Sequence, residues 1–198
     1  TQTAETGVEL WVLDIVNANA TKLSAAKLNA NSGNTISWFK DSENILVNFL
    51  PDDKPELIDP KKNIPLGPIV STSEGEKAQN RTYQDLLKNK TDEANFENII
   101  SSELYKVNLS GKTELFKSKD MYIDKSFSPD GNYIIITTLK KPFSYLVPLN
   151  RFPMESSVYD LSGKLVKVVN EIPLSEVFHI GFMAVCTGIR CLNWRDDK

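Results

Sequence analysis

The chain has 198 residues, 40% of them hydrophobic and 25% charged, and a formal net charge of -3, a composition that can bury a core as one large or two small domains. Lysine and arginine gather into no stripe, so the electrostatic footprint of nucleic-acid binding is missing and no nucleic-acid partner is expected. The apolar runs fall short of a membrane span and the first residues lack the charged start and apolar centre of a signal peptide, so no membrane partner is expected either.

The opening residues, TQTAETGVELWVLDI, enter a strand pattern at once, with a strand predicted over 10–15 and no initiator methionine; the chain is read as a piece of a longer protein. ELWVLDIVNANATKLS, from Glu9, reads as strand, short polar turn and strand. ISWFKDSENILV, from Ile36 to Val47, is a second hairpin of another kind, with strands over 36–38 and 45–49. Next, Pro51, Pro55, Pro60, Pro65 and Pro68 punctuate a segment that cannot be helix or inner strand and should run extended. Within TYQDLLKNKTDEANFENII, from Thr82, the residues Tyr83, Leu86 and Leu87 and then Phe96, Ile99 and Ile100 fall at helical spacing, which predicts two short helices parted near Asn89. This element is either a lid or docking element, or a packed cover for the sheet edge.

ELYKVNLSGKTELF, from Glu103, repeats the first hairpin type, with a strand over 104–109. SFSPDGNYIIITTL, from Ser126 to Leu139, repeats the second. Pro129 presets φ, Asp130 can bond its own backbone and Gly131 tolerates φ > 0, so a tight turn joins strands over 123–127 and 133–138. SSVYDLSGKLVKVV, from Ser156, returns to the first type with strands over 156–160 and 165–169, and CLNWRDDK at the end begins another copy of the second.

The copies align residue by residue. Trp38, Phe127 and Trp194 share the aromatic position; Asp41, Asp130 and Asp197 share the turn aspartate, and Ser42 stands where Gly131 does. Ile45, Leu46 and Val47 match Ile134, Ile135 and Ile136, and the turn Leu-Ser-Gly-Lys occurs verbatim at Leu109 and Leu161. The three aspartates are therefore turn formers rather than acids. A single hairpin would suit a β-sandwich, but strict alternation of two hairpin types predicts an all-β fold: a partial β-propeller of four-stranded antiparallel blades with a helical, proline-rich insertion. The predicted divisions are a half blade over 1–30, a blade over 31–118 with the insertion at 51–102, a blade over 119–172, and a connection with the first strand of a further blade over 173–198.

Antiparallel connectivity places the tight turns on one face and the long connections, within 51–102, 140–155 and 170–189, on the other. Long loops are uncommon without a function, so the substrate-binding candidates are sought there. Arg151, set between Pro148 and Pro153, offers a guanidinium for a carboxylate of a substrate or of a neighbouring domain, or else pins its own loop. Tyr145, Phe143 and Phe152 line a binding path on this face or else pack. Cys186 and Cys191 are two small strand residues or a disulfide closed by a turn at Gly188, and with the single His179 they show no metal-ligand spacing. No metal and no cofactor is expected, and His179 reads as a structural loop residue.

Three segments carry a family resemblance: RTYQDLLK from Arg81 to Lys88, KPFSYLVPLNRFP from Lys141 to Pro153, and GIRCLNWRDDK from Gly188 to Lys198. In order and spacing they resemble the propeller domain of the prolyl oligopeptidase family of serine peptidases, in particular its glutamyl endopeptidase branch of plant plastids and bacteria. Cys191 departs from the small residue expected at its position. The resemblance implies a two-part enzyme, exported where it occurs in bacteria, whose propeller gates peptide substrates for an α/β-hydrolase domain of the same polypeptide. This chain has no Gly-x-Ser-x-Gly elbow, so no catalytic residue is assigned and no peptidase activity is expected of it alone. Uncovered blade faces would then favour self-association. The alternative is a propeller binding module or interaction scaffold, for protein or glycan, with no enzymatic partner domain.

Overall fold

The computed structural model describes residues 1–31, 33–59, 83–176 and 192–195. Two short hairpins come first, β1 (Gln2–Ala4) with β2 (Gly7–Glu9) and β3 (Trp11–Asp14) with β4 (Asn19–Lys22). Then come β5 (Ile36–Trp38), β6 (Asn44–Phe49), the helix α1 (Lys90–Ile100), β7 (Ser102–Asn108) and β8 (Thr113–Asp120). The last group is β9 (Tyr122–Phe127), β10 (Tyr133–Leu139), β11 (Met154–Asp160) and β12 (Leu165–Ile172), with a single 3-10 turn, Leu149–Arg151, between β10 and β11. β5 to β8 form one four-stranded antiparallel sheet in sequence order and β9 to β12 form another. The chain is β throughout its sheets, and α1 is the one α-helix among the described residues.

The alignment of the two copies around Trp38 and Phe127 holds in register. Trp38 pairs with Ile45 at the mouth of its turn just as Phe127 pairs with Ile134. Between them the aspartates close the loops: Asp41 Oδ1 accepts from the amides of Glu43 and Asn44, both at 2.9 Å, and Asp130 Oδ1 accepts from the amide of Asn132 at 3.0 Å. Ser42 adopts φ 58° where Gly131 adopts 75°, so the serine does occupy the glycine's left-handed place. The Leu-Ser-Gly-Lys turns also match. Asn108 and Asp160, one residue upstream, each accept from the backbone two and four residues on, while Gly111 and Gly163 sit at φ 82° and 79°.

Packing follows the period-two alternation of the strands. Ile45, Val47 and Phe49 of β6 face the first two hairpins through Leu10, Leu23 and Leu28. Leu46 points the other way and joins Phe39 and Leu104 against Tyr122, Ile134 and Ile136 of the next sheet. Phe39 lies 4.7 Å from Phe127 between ring centroids, within that same layer. A third cluster gathers at the end of the sheets that carries the long connections, where Ile100, Met121, Leu139, Phe143, Val147 and Phe152 meet.

Three expectations change. Residues 83–89 are not helical: Asp85 takes φ 57°, and Asn89 is the cap from which the single helix starts, so the two predicted helices are one. The strand predicted over 10–15 stops at Asp14, whose carboxylate turns back to accept from Val16 and Asn17, and that predicted over 104–109 stops at Asn108 for the same reason. The hairpin of β1 and β2 was not expected; its strands are three residues each, too short to show a period. His179, Cys186, Cys191, Asp197 and the prolines at 60, 65 and 68 lie outside the described residues.

Candidate functional site

The site is built where α1, the connection over 140–153 and the segment over 173–176 converge. α1 begins at Asn89, whose side chain accepts from the Asp92 amide at 2.9 Å, and Asp92 and Glu93 in its first turn complement the positive end of the helix. It ends at Ser101, whose amide and hydroxyl both donate to the Glu97 carbonyl, at 3.0 and 2.7 Å. Asn29, wholly buried, fixes that end. Its Nδ2 donates to the carbonyls of Ile99 and Ser101 at 3.0 Å and to Ser102 Oγ at 2.9 Å, while its Oδ1 accepts from Asn31. A residue in the linker between two hairpins thus satisfies carbonyls that the helix leaves open.

Aromatic packing sets the helix against the neighbouring sheet. The ring of Phe96 stands edge-on to both Phe143 and Phe152, at 5.2 and 6.1 Å, and those two stack on each other at 5.5 Å. Above this apolar floor lies a charged rim. Lys141 Nζ is 2.7 Å from Glu97, Tyr145 Oη donates to Glu93 at 2.7 Å, and Lys90 pairs with Glu93 at 2.6 Å. The bond from Lys90, followed by that from Tyr145, holds the Glu93 carboxyl below the usual carboxylate range. Burial, then the bond to Glu93, pushes the Tyr145 phenol up. At neutral pH the rim therefore holds an ionised Glu93 between an ammonium and a phenol.

Arg151 ends the 3-10 turn, its amide donating to the Pro148 carbonyl at 2.9 Å and its own carbonyl accepting from Ser175 at 3.0 Å. Ser144 Oγ donates to Glu176 at 2.6 Å, a second tie between the same two segments. Of the three predicted site residues, Tyr145 lies on the rim and Arg151 is half-buried at the end of the 3-10 turn, while Phe152 is buried in the floor. Phe152 packs on Phe96 and Phe143. Glu93, Glu97 and Asn29 went unnoticed in the sequence; for the two glutamates, acidic residues on the helix face shared with Phe96 were the available signal. Among the described residues no group of three or more His, Cys, Asp or Glu side chains is arranged to hold a metal ion, and no helix is long and apolar enough to cross a membrane.

No protein-family model matches the sequence. Two curated plant proteins are similar to it, each described as "Probable glutamyl endopeptidase, chloroplastic". The one from Arabidopsis thaliana is 32% identical over 194 residues and the one from Oryza sativa subsp. japonica 30% identical over 198 residues. Each alignment takes in 96% of this chain, and the chain spans only 20% of the length of either relative.

Proposed function

We propose that this chain is a non-catalytic stretch of a β-propeller that orients peptide substrates for the α/β-hydrolase domain of a serine peptidase, a domain supplied elsewhere in the same polypeptide. The parent would be a member of the prolyl oligopeptidase family, of the glutamyl endopeptidase kind. The observation that carries this reading is the match of 96% of the chain to a fifth of two proteins bearing the glutamyl endopeptidase name. Two four-stranded meanders stacked face on face support the propeller half of it, because repeated units of that kind bury their faces against neighbours in a ring. The divisions then fall at 1–30, 31–118, 119–172 and 173–198, as half blade, blade, blade and the start of another.

In this reading the rim that carries Tyr145, together with the turn that ends at Arg151, meets the substrate. A guanidinium there pairs with an acidic substrate side chain or with a carboxylate of the catalytic domain, and Tyr145 offers a phenol beside the Glu93 carboxylate. Phe152 contributes from below, as the wall on which the rim is mounted. The test is made in the full-length parent. Arg151→Ala should lower kcat/KM for peptide substrates about tenfold, the equivalent of one charge-assisted hydrogen bond, and leave the melting temperature in place. A lowered melting temperature with unchanged turnover would instead make Arg151 a pin for its own loop and remove it from the substrate path.

A further inference from the structure

Asn95 and Asn98 stand three residues apart on one face of α1, and both reach the same short strap of chain over 55–58. Asn95 Oδ1 accepts from the Ile58 amide at 2.8 Å while its Nδ2 donates to the Ile58 carbonyl at 2.8 Å. Asn98 Nδ2 donates to the Pro55 carbonyl at 2.6 Å. A side-chain amide that takes both the N–H and the C=O of one residue offers the pairing a neighbouring strand would offer, which is how extended peptides are commonly held.

All three bonds go to main chain, and the strap's own side chains stay partly open to solvent. Leu57 is 53% exposed, Ile58 41%, and Glu56 is exposed too. The three bonds to α1 therefore place no demand on which side chains the strap carries. Being tethered, it needs few contacts to stay in place, because its effective concentration at the helix is high.

We propose that this face of α1 is a docking site for an extended polypeptide segment, filled in the resting chain by its own strap over 55–58, which an incoming segment displaces. The ligand class is an unfolded or extended peptide whose backbone N–H and C=O groups are free to pair. The inference leans on the peptide-handling reading above only for the source of that segment; the docking chemistry stands on the three bonds.

The experiment uses this chain and a fluorescein-labelled peptide with the sequence of residues 53–59, followed by anisotropy. Ile58→Pro in the chain removes the strap's amide donor and loosens the resident occupant. It should bind the labelled peptide about tenfold more tightly than the unsubstituted chain, as expected for the release of one or two competing hydrogen bonds. A peptide N-methylated at its isoleucine should lose that gain, and so should Asn95→Asp added to Ile58→Pro, since a carboxylate cannot donate to the carbonyl. Equal binding by the two chains, or full affinity for the N-methylated peptide, overturns the proposal. A second readout needs no substitution: excess unlabelled peptide should speed hydrogen exchange at the Ile58 amide, and unchanged exchange counts against docking. Failure here leaves the peptidase reading standing, because that is decided by kcat/KM in the parent.

Discussion

Lys125 Nζ on β9 lies 2.7 Å from Asn48 Oδ1 on β6, joining two successive sheets through a bond between a cation and a neutral amide. The ammonium also donates to the Asn34 carbonyl, and the residue is 5% exposed. Burial brings its pKa down to about 8 from the 10.5 of an ordinary lysine, with Asp124 pulling weakly the other way. Above pH 8 the folded chain therefore sheds a proton that the unfolded chain keeps, so stability must rise with pH until the unfolded lysine titrates too. Between pH 7 and 9.5 the rise should be roughly 2 kcal/mol. The check is the difference in denaturant stability between the unsubstituted chain and Lys125→Met across that range. A difference independent of pH would mean that Lys125 is not buried as a charge.

Asn29→Ala should detach the end of α1. It leaves the buried carbonyl of Ser101 and the part-buried carbonyl of Ile99 without their donor, a loss of about 2–4 kcal/mol. Hydrogen exchange should report it as faster exchange across Phe96 to Ile100 than across β6. A cost below about 1 kcal/mol would show that water replaces the side chain.

The two positive-φ turn positions should respond in opposite senses. Ser42→Gly relieves left-handed strain and should stabilise the chain by about 0.5 kcal/mol after the added freedom of the unfolded state is counted. Gly131→Ala should destabilise it by more than about 1 kcal/mol, because φ is 75° and a Cβ there would sit 2.6 Å from the Lys40 Cβ. Thermal melts of the two variants decide the matter; equal and same-signed shifts would contradict the shared turn geometry.

Floor and rim should separate under substitution. Phe152→Ala removes a buried ring stacked on Phe143 and should cost about 3–5 kcal/mol, whereas Tyr145→Phe gives up one half-exposed hydrogen bond and should cost less than about 1 kcal/mol. If Phe152→Ala leaves the chemical-denaturation midpoint where it was, the aromatic cluster does not hold the helix.

The strands were legible because each physical signal was local. Alternating apolar residues, a Pro-Asp-Gly turn and a repeated Leu-Ser-Gly-Lys all act within a few residues, and β5, β6, β9 and β10 fall where those signals put them. The helix was legible only in its second half, where Phe96 and Ile100 have a sheet to pack on. Tyr83 and Leu86 show the same spacing, but a left-handed Asp85 and the cap at Asn89 outweigh it. Asn29 was out of reach for another reason. Its partners are 70 to 73 residues away, and nothing in a polar linker announces that one amide will close a distant helix. The site residues divided along the same line: Tyr145 and Phe152 look alike in a run of prolines and aromatics, and only the position of Phe96 tells which of the two is buried.

Leu46 and Ile135 hold matching places in their sheets, and only the first is fully covered. The surface that covers Leu46 is the opposite face of the next sheet, the one made by Ile134 and Ile136, so the front of one unit fits the back of another rather than its own copy. Such a contact is heterologous, and heterologous contacts do not stop at two. Copies of this chain that meet through these faces should line up head to tail and grow stepwise with concentration, giving a ladder of sizes in sedimentation velocity in place of a discrete dimer.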